Sequence, residues 1–290
     1  MLHFGPRSLV SGCFLLLTTA IFAGNEKDYT YLALGDSVAF GLDPRLLVPA
    51  PTGPPASDFV GYPEIVAARL HLLLSKKEVN AACPGETSGS FMTPGAPDLG
   101  CHDSGPQGQP PYKTWAGLHT MYPGTQLSFA TSELSSNKHI NLVTLGIGSN
   151  DVLLLLRNCS TAPDPGACFA SQIQGVLQAV GGNLAQILAA IRATNYTGKL
   201  VLVGFYSPRP DLDPLAVALR SIMLDVGSHF GVVFADGFGA FQTAAAAFGG
   251  DACQAGLLIR LDATTCDIHP SPAGRDLLAA TVLAAIGDRH

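Results

Sequence analysis

Five short apolar segments are spaced along the chain, and amphipathic segments separate them. The apolar segments are residues 31–35, 78–82, 141–148, 199–205 and 231–236. They are apolar on both faces, which is typical of strands in a parallel sheet that is covered by helices on both sides. The pattern therefore predicts a five-stranded parallel sheet.

The segments between the strands show helical periodicity. In residues 171–194, apolar side chains from Ile173 to Ile191 recur at spacings of three and four, which places them on one helix face. Further helices are predicted at about 62–74 and 215–230, and a last one begins at Ser271-Pro272, an N-cap followed by a helix-starting proline. Alternating strands and helices predict an α/β fold.

Two long stretches rich in proline and glycine, residues 42–61 and 84–126, interrupt this alternation. Loops of that length within a compact domain are usually functional or tied down. Neither stretch is typical of a linker between two domains, and the sequence contains no internal repeat. We therefore expect a single domain.

The first 23 residues resemble a secretory signal peptide. An apolar run from Cys13 to Phe22 is too short to span a bilayer, and the small residues Ala23-Gly24 follow it. We expect cleavage near Ala23, which leaves residues 24–290 as the mature domain. The segment LVSGC at 9–13 resembles a lipoprotein box, but the apolar run follows the cysteine instead of preceding it, which argues against a lipid anchor.

Composition and charge exclude several classes of protein. The chain is 47% hydrophobic and 13% charged, which indicates a globular protein with a large core. Its net charge of -6 and its lack of a lysine and arginine cluster argue against a nucleic-acid partner. We expect no membrane-spanning helix, and we expect a monomer.

The cysteines support export. Six remain if Cys13 leaves with the signal peptide, and six cysteines allow fifteen pairings. Metal binding would need close ligand pairs such as C-x-x-C, and the sequence has none. Pairing between sequence neighbours is the simplest interpretation, and each bond would then contribute about 3 kcal/mol of stability. The expected disulfides are Cys83–Cys101, Cys159–Cys168 and Cys253–Cys266. They indicate a secreted or periplasmic protein.

Small polar residues follow the ends of several predicted strands. In a parallel sheet, ligands bind beyond the carboxyl ends of the strands. The sequences there are Gly35-Asp36-Ser37, Cys83-Pro84-Gly85 and Ser149-Asn150-Asp151, and Asp267-Ile268-His269 precedes the last helix. We therefore expect a serine, a glycine, an asparagine and a histidine to meet at one edge.

These blocks carry a family resemblance. GDSVAFG, the glycine in NAACPGET, GIGSND and DIHP occur in the order found in the SGNH, or GDSL, hydrolases, and they span Gly35 to Pro270. The cysteine couples resemble those of secreted esterases and lipases in that family. The resemblance implies a flavodoxin-like three-layer α/β/α sandwich with strand order 2-1-3-4-5. It also implies a serine hydrolase without metal or other cofactor.

The resemblance also assigns roles. Ser37 would be the nucleophile and His269 the general base, because a histidine pKa lies near working pH. The backbone N–H groups of Ser37 and Gly85 and the side-chain amide of Asn150 would form the oxyanion hole. Glycine at position 85 would let the backbone approach the substrate closely.

The last block departs from the family pattern. The family usually has aspartate three residues before the histidine, where this chain has Cys266, and Asp267 lies two before. A triad with Asp267 and a Ser37–His269 dyad both stay open. In either case a carboxylate or carbonyl would set the imidazole tautomer.

Simpler interpretations exist for each block. Gly35-Asp36-Ser37 could be a strand-ending turn, and Asn150 could cap a helix. The G-x-S-x-G elbow of α/β-hydrolases is absent, and no metal-binding spacing links the remaining histidines. The aromatic and methionine group Tyr112, Trp115, Met121 and Tyr122 could wall an acyl pocket, but packing under a loop is favoured.

Together these features predict a secreted esterase or lipase that acts on small-molecule or lipid esters. Carbohydrate O-deacetylation and acyl transfer stay open, because they occur on the same fold. A catalytically inactive binding domain and a flavodoxin-type cofactor protein are the alternatives from other classes.

Overall fold

The computed structural model describes Met1 and residues 30–47, 52–72, 77–105 and 108–287. The signal peptide expected at residues 1–23, its cleavage site and Cys13 lie outside the described residues, except for Met1. The described chain is an α/β sandwich around a five-stranded parallel sheet in the order β2-β1-β3-β4-β5. The strands are β1 (Tyr31–Gly35), β2 (Glu78–Asn80), β3 (Leu142–Gly146), β4 (Lys199–Val203) and β5 (Val233–Ala235).

Nine helices accompany the sheet in the described part of the chain. They are α1 (Ser37–Phe40), α2 (Tyr62–Arg69), α3 (Tyr112–Trp115), α4 (Gln126–Ser136), α5 (Ser149–Cys159), α6 (Pro165–Ala193), α7 (Asp213–Ser228), α8 (Gly237–Ala244) and α9 (Pro272–Ile286). Helix α2 packs on α9, and α4, α5 and α7 pack on α6. This arrangement gives the three layers that the α/β alternation predicts.

The central strands β1 and β3 are buried along their whole length, as their apolar sequences predict. Their register aligns Gly35 with Gly146, so both strands end at the same level of the sheet. The turns that follow them lead into α1 with Ser37 and α5 with Asn150, and these turns therefore begin side by side. The register alone brings the first and third sequence blocks together.

Helix α6 is longer than its periodicity predicts. It begins at Pro165, where the Asp164 side chain caps it by accepting a hydrogen bond from the Ala167 N–H. Its buried stripe consists of Leu177, Val180, Leu184, Ile187, Leu188 and Ile191. Among the described helices, α6 alone is long and apolar enough to cross a membrane by length and composition, a test that core helices of soluble proteins also pass.

The structure differs from the sequence prediction in two respects. The strands β2 to β5 are shorter than the apolar segments, because the last residues of each segment already turn into the loops above the sheet. A separate antiparallel pair, β6 (Leu258–Arg260) and β7 (Cys266–Pro270), is absent from the prediction. The DIHP block, which precedes the last helix, therefore lies on a strand that the apolar pattern does not mark.

Three disulfides join the cysteines that are neighbours in sequence. The bonds are Cys83–Cys101, Cys159–Cys168 and Cys253–Cys266. The first ties down the long proline- and glycine-rich stretch after β2, and the third joins β7 to the segment before β6. This number of disulfides indicates an oxidising, extracytoplasmic environment.

Candidate active site

Ser37 lies where β1 turns into α1, and this turn fixes its direction. Asp36 is the N-cap of α1, and its carboxylate accepts a hydrogen bond from the Val38 N–H at 3.0 Å. The Ser37 hydroxyl then lies 2.9 Å from Nε2 of His269, which comes from β7 at the other end of the chain. A buried serine and a histidine thus meet at hydrogen-bonding distance, which is the geometry of a nucleophile and its base.

Asp267 contacts the other ring nitrogen of the same histidine. Its Oδ1 forms a hydrogen bond with Nδ1 of His269 and also accepts one from the His269 backbone N–H at 2.9 Å. Side chains two residues apart on a strand point to the same face. Because residues 266–270 form a strand, the spacing of two places the carboxylate beside the imidazole, while Cys266 turns to its disulfide.

The charge state of Asp267 suits this contact. Burial raises the pKa of Asp267, whereas the hydrogen bonds and charge of His269 lower it. The lowering effects together are larger, so the pKa lies below the ordinary value. The carboxylate is therefore ionised at neutral pH. An ionised partner holds Nδ1 in its protonated form and leaves Nε2 free to accept the serine proton.

Two buried backbone donors, one in the first sequence block and one in the second, have no acceptor. Among the described residues, nothing accepts a hydrogen bond from the N–H of Ser37 or of Gly85, and both residues are buried. Buried backbone N–H groups without a partner are rare in folded proteins and usually have a function. Their availability fits donors that await a negatively charged oxygen.

Asn150 lies in the first turn of α5 and is buried. Its Nδ2 donates to the carbonyl of Glu86 at 2.9 Å, which fixes the amide while its second N–H remains for another acceptor. The residue that caps α5 is Gly148, not Asn150. The contact also joins α5 to the loop that carries Gly85.

The reason for glycine at position 85 differs from the sequence interpretation. Gly85 has φ of +84°, and a Cβ there would lie 2.3 Å from the carbonyl carbon of Leu99 and 2.5 Å from the Gly100 nitrogen. The glycine is needed because the far side of its own loop packs against it. Gly85 is also not among the residues that line the cavity beside Ser37.

Asp36 links the first and third blocks, a role that the sequence analysis did not find. Its Oδ2 accepts a hydrogen bond from the Ser149 hydroxyl at 3.1 Å. Burial raises its pKa from 3.8 to about 6, against the lowering effect of the hydrogen bonds from Val38 and Ser149. The turn below the serine is therefore built around a carboxylate that titrates near neutral pH.

A second set of buried contacts holds the loop of Gly85, and sequence reasoning missed it as well. The Asp151 carboxylate accepts hydrogen bonds from the Ser88 N–H at 2.8 Å and from the Ser88 hydroxyl at 2.6 Å. Asn183 of α6 donates to the same hydroxyl at 2.9 Å. These contacts fix the loop against the helix that carries Asn150.

Gln126 anchors the end of β1 from outside the family blocks. Its amide accepts from the Gly35 N–H at 2.6 Å and donates to the Gly35 carbonyl at 2.9 Å, so it pairs with the peptide as a neighbouring strand would. It also donates to the buried carboxylate of Glu86 at 2.9 Å. No sequence signal marks Gln126, because its contact spans 91 positions.

An apolar cavity of about 110 Å³ opens beside the serine and the histidine. Its apolar wall consists of Val152, Leu153 and Leu156 from α5, Leu215, Ala216 and Leu219 from α7, and Phe205, Tyr206 and Leu212 from the preceding loop. Leu156 and Ile268 at its rim are 36% and 40% exposed. The cavity is suited to a hydrocarbon group attached to the reacting carbon.

The aromatic and methionine group of the long loop does not contribute to this cavity. Tyr112 and Tyr122 are buried, and the Tyr112 ring packs against Phe40 with the ring centres 6.1 Å apart. Trp115 and Met121 likewise lie outside the cavity lining. The favoured interpretation, packing under the loop, is supported for Tyr112 and Tyr122, whereas Met121 is 58% exposed.

Metal-binding side chains come close together at two places in the described residues. Both clusters include Cys101, with Cys83 and Glu86 in one and with Asp98 and His102 in the other. Cys101 is bonded to Cys83, and a disulfide sulfur is not a thiolate ligand. The chemistry of these donors does not fit a metal site.

The comparison with protein-family models decides the family. The model described as the GDSL-like lipase/acylhydrolase family matches residues 33–277, which include every residue of the site. The chain belongs to this family. A comparison with curated protein sequences found no match.

Solved structures with the same fold come from named bacteria and from a goat rumen metagenome. A protein from Parabacteroides merdae described as a GDSL-like lipase has a TM-score of 0.54 at 16% identity, covering 91% of this chain and 98% of its own. Phospholipase A1 from Streptomyces albidoflavus has a TM-score of 0.54 at 18% identity, covering 89% and 99%. The lipase Lip_vut3 from a goat rumen metagenome has a TM-score of 0.51 at 14% identity, covering 89% and 97%. At these identities the likeness establishes the GDSL-like fold.

Proposed function

We propose that this protein is a secreted serine hydrolase that cleaves carboxylic esters by an acyl-enzyme mechanism. The observation that carries the proposal is the chain of contacts from Asp267 through His269 to the Ser37 hydroxyl, beside an apolar cavity. Family membership and the lipase names of the structural neighbours support the same reaction class.

The reaction follows from the positions of these groups. Ser37 Oγ attacks the ester carbonyl carbon while His269 Nε2 takes the hydroxyl proton, and Asp267 stabilises the resulting imidazolium. The negative oxygen accepts hydrogen bonds from the Ser37 and Gly85 N–H groups and the Asn150 amide. The C–O bond then breaks, and His269 returns the proton to the departing alcohol.

The second half of the reaction reverses these roles. His269 takes a proton from a water molecule, whose oxygen attacks the acyl carbon attached to Ser37. The oxyanion donors stabilise the new tetrahedral intermediate, and its collapse releases the carboxylic acid as the proton returns to Ser37 Oγ. The enzyme is then in its starting state.

We propose that the cavity between α5 and α7 binds the acyl chain. Its volume of about 110 Å³ compares with roughly 150 Å³ for a cavity that holds one benzene molecule. By this comparison the cavity accommodates a chain of roughly four carbons, and its apolar rim extends it. This size favours short-to-medium acyl esters over acetyl groups alone.

We also propose that the protein is exported from the cytoplasm. The three disulfides support folding in an oxidising compartment. Removal of residues 1–23 as a signal peptide would deliver the domain there. Mass spectrometry of the secreted protein would locate the mature N-terminus.

The test is hydrolysis of p-nitrophenyl esters from acetyl to palmitoyl by the wild-type protein, Ser37→Ala and the control Ser132→Ala, which changes an exposed serine of α4. We expect activity with an optimum in short-to-medium chains, lost in Ser37→Ala and retained in the control. Equal activity of Ser37→Ala and wild type would contradict the nucleophile. Activity on acetyl esters alone would favour the deacetylase alternative.

A further inference from the structure

The strand that carries His269 bulges away from its partner. The β6–β7 ladder pairs Leu258 with Pro270 and Arg260 with Cys266, with a register shift between these pairs. Residues 267–269 therefore face the single residue Ile259. An irregular ladder of this kind leaves peptide groups without their usual strand partner.

Tyr206 supplies a partner at the centre of this bulge. Its hydroxyl donates a hydrogen bond of 2.6 Å to the carbonyl of Ile268, the residue between Asp267 and His269. Burial raises the pKa of Tyr206 well above its ordinary value, and the charges of Asp36 and Asp267 raise it further, so the hydroxyl stays a donor.

The ring of Tyr206 is itself fixed. It stacks on Phe241 of α8 with ring centres 4.3 Å apart and planes inclined by 14°, and the residue is only 8% exposed. The same ring lines the apolar cavity beside Ser37. One side chain thus contacts both the cavity and the backbone that carries the histidine.

We propose that Tyr206 is a positioning residue that holds the bulged segment so that His269 faces Ser37 and Asp267 faces His269. The inference rests on the proposed ester hydrolysis. Without the hydroxyl, the Ile268 carbonyl would lose its hydrogen bond and the peptides on either side of it could rotate. Small displacements of positioned groups lower turnover by up to roughly a hundredfold.

Tyr206→Phe tests the proposal, because it removes the hydroxyl and keeps the ring in the cavity wall. The matched control is Tyr196→Phe. Tyr196 is 7% exposed and its hydroxyl also donates to a backbone carbonyl, that of Lys199, at 2.9 Å, but it does not line the cavity. Both variants lose one partly buried hydrogen bond from a tyrosine hydroxyl to a backbone carbonyl.

We expect Tyr206→Phe to lower kcat on p-nitrophenyl butyrate by roughly tenfold to a hundredfold, with KM within about twofold of wild type. Tyr196→Phe should keep the wild-type kcat while losing similar thermal stability. The downfield proton resonance of the His269–Asp267 hydrogen bond should shift or broaden in Tyr206→Phe only. An unchanged kcat in Tyr206→Phe, or the same kcat loss in both variants, would overturn the proposal.

A second variant addresses the ring stacking. Phe241→Leu keeps the Tyr206 hydroxyl but removes the aromatic surface that fixes its ring, so kcat should fall by a smaller factor at unchanged KM. Wild-type kcat in both Phe241→Leu and Tyr206→Phe would again exclude a positioning role.

Different results would contradict the proposed ester hydrolysis itself. In that case the wild-type protein would hydrolyse no ester, or Ser37→Ala would be as active as wild type. The positioning role fails when the wild-type protein is active through Ser37 but the Tyr206 hydroxyl does not affect turnover.

Discussion

At the residue scale, two carboxylates orient the nucleophile and base candidates of the site. Asp267 reaches His269 because the two residues share a strand face, and Asp36 shapes the turn that presents Ser37. The pKa of Asp267 is lowered from its ordinary value, whereas the pKa of Asp36 is raised. Their different environments predict different consequences of substitution.

Asp267→Asn should lower kcat roughly a thousandfold to ten-thousandfold, because an amide favours the wrong imidazole tautomer. The measurement is p-nitrophenyl butyrate hydrolysis beside Asp276→Asn, which changes an aspartate of α9 whose side chain is 57% exposed. The control should keep wild-type turnover. A loss below tenfold in Asp267→Asn would mean that the histidine works as part of a dyad.

Asp36→Asn should change how stability depends on pH. The folded protein holds the Asp36 proton up to about pH 6, whereas the unfolded chain loses it near 3.8. Ionisation therefore favours the unfolded state, so this group lowers stability as the pH rises from about 4 to about 6 and keeps it lower above that. The full effect is about 3 kcal/mol.

The variant keeps an acceptor for the Val38 N–H without the buried charge. Urea unfolding should find Asp36→Asn more stable than wild type at pH 7.5, by at most about 3 kcal/mol, with the difference shrinking towards pH 4. A difference that stays constant over this range would refute the assignment.

At the element scale, the loop after β2 and the groove between α5 and α7 decide what the site can do. The loop carries Gly85 and is held by a disulfide, by the Asp151–Ser88 contacts and by Gln126 through Glu86. The groove supplies the apolar cavity. These contacts fix the loop, and the groove is the proposed site of the acyl chain.

Gly85→Ala should destabilise the protein and lower turnover together, because its Cβ would push against the Leu99–Gly100 backbone. Gly95→Ala is the matched control. Gly95 belongs to the same loop and has φ of +77°, but a Cβ there would meet nothing within 4 Å. Both variants bear the left-handed backbone cost of about 1 to 3 kcal/mol.

The difference in stability between these two variants measures the effect of the steric clash between a Cβ at position 85 and the Leu99–Gly100 backbone. We expect thermal unfolding to occur at a clearly lower temperature in Gly85→Ala than in Gly95→Ala, with turnover reduced in Gly85→Ala only. Equal stability and turnover of the two variants would mean that the close approach at Gly85 is unimportant.

Ala216→Leu should shorten the cavity and shift the chain-length preference. Displacing two or three buried methylenes costs about 2 kcal/mol, or roughly a thirtyfold loss in kcat/KM for octanoyl esters. Acetyl ester hydrolysis should change little. Ala218→Leu is the control, because Ala218 lies on the same helix but lines the groove between α6 and α7 instead. Unchanged octanoyl hydrolysis in Ala216→Leu would argue that acyl chains bind elsewhere.

At the scale of the whole molecule, the candidate catalytic residues come from both ends of the chain, and three short-range disulfides join segments that lie outside the five-stranded sheet. Ser37 and His269 are 232 positions apart, so their contact depends on the complete fold. The Cys253–Cys266 bond lies directly beside Asp267 in sequence. The Cys159–Cys168 bond lies at the opposite end of α5 from Asn150.

Two double variants separate stability from activity. Cys253→Ser with Cys266→Ser, and Cys159→Ser with Cys168→Ser, open loops of 13 and 9 residues and should each lower stability by about 3 kcal/mol. Only the first should also lower kcat, because it frees the strand of the histidine. Denaturant unfolding and ester hydrolysis check both effects. Equal kcat in the two double variants would contradict this role of the disulfide.

The α/β class is predictable from the apolar pattern of the chain, whereas the strand order and the nucleophile and base candidates follow from the family resemblance. Buried parallel strands need apolar residues on both faces, and local turns need residues such as Gly35 and Ser271, so these features leave local patterns. The family blocks place Ser37, Gly85, Asn150 and His269 at positions that the sheet then brings to one edge.

Only the tertiary structure decided how Asp267 and Gly85 are used, and it also revealed Tyr206, Gln126 and Asn183. The contacts of Tyr206, Gln126 and Asn183 join segments 62 to 95 positions apart, and no local periodicity records such contacts. Asp267 is only two residues from His269, but their contact depends on the strand β7, which the apolar pattern does not mark. The short strand β7 gives the clearest case, because one disulfide and one tyrosine hydroxyl from elsewhere in the chain hold it in place. Sequence determines which groups are available, whereas packing over long range determines where they point.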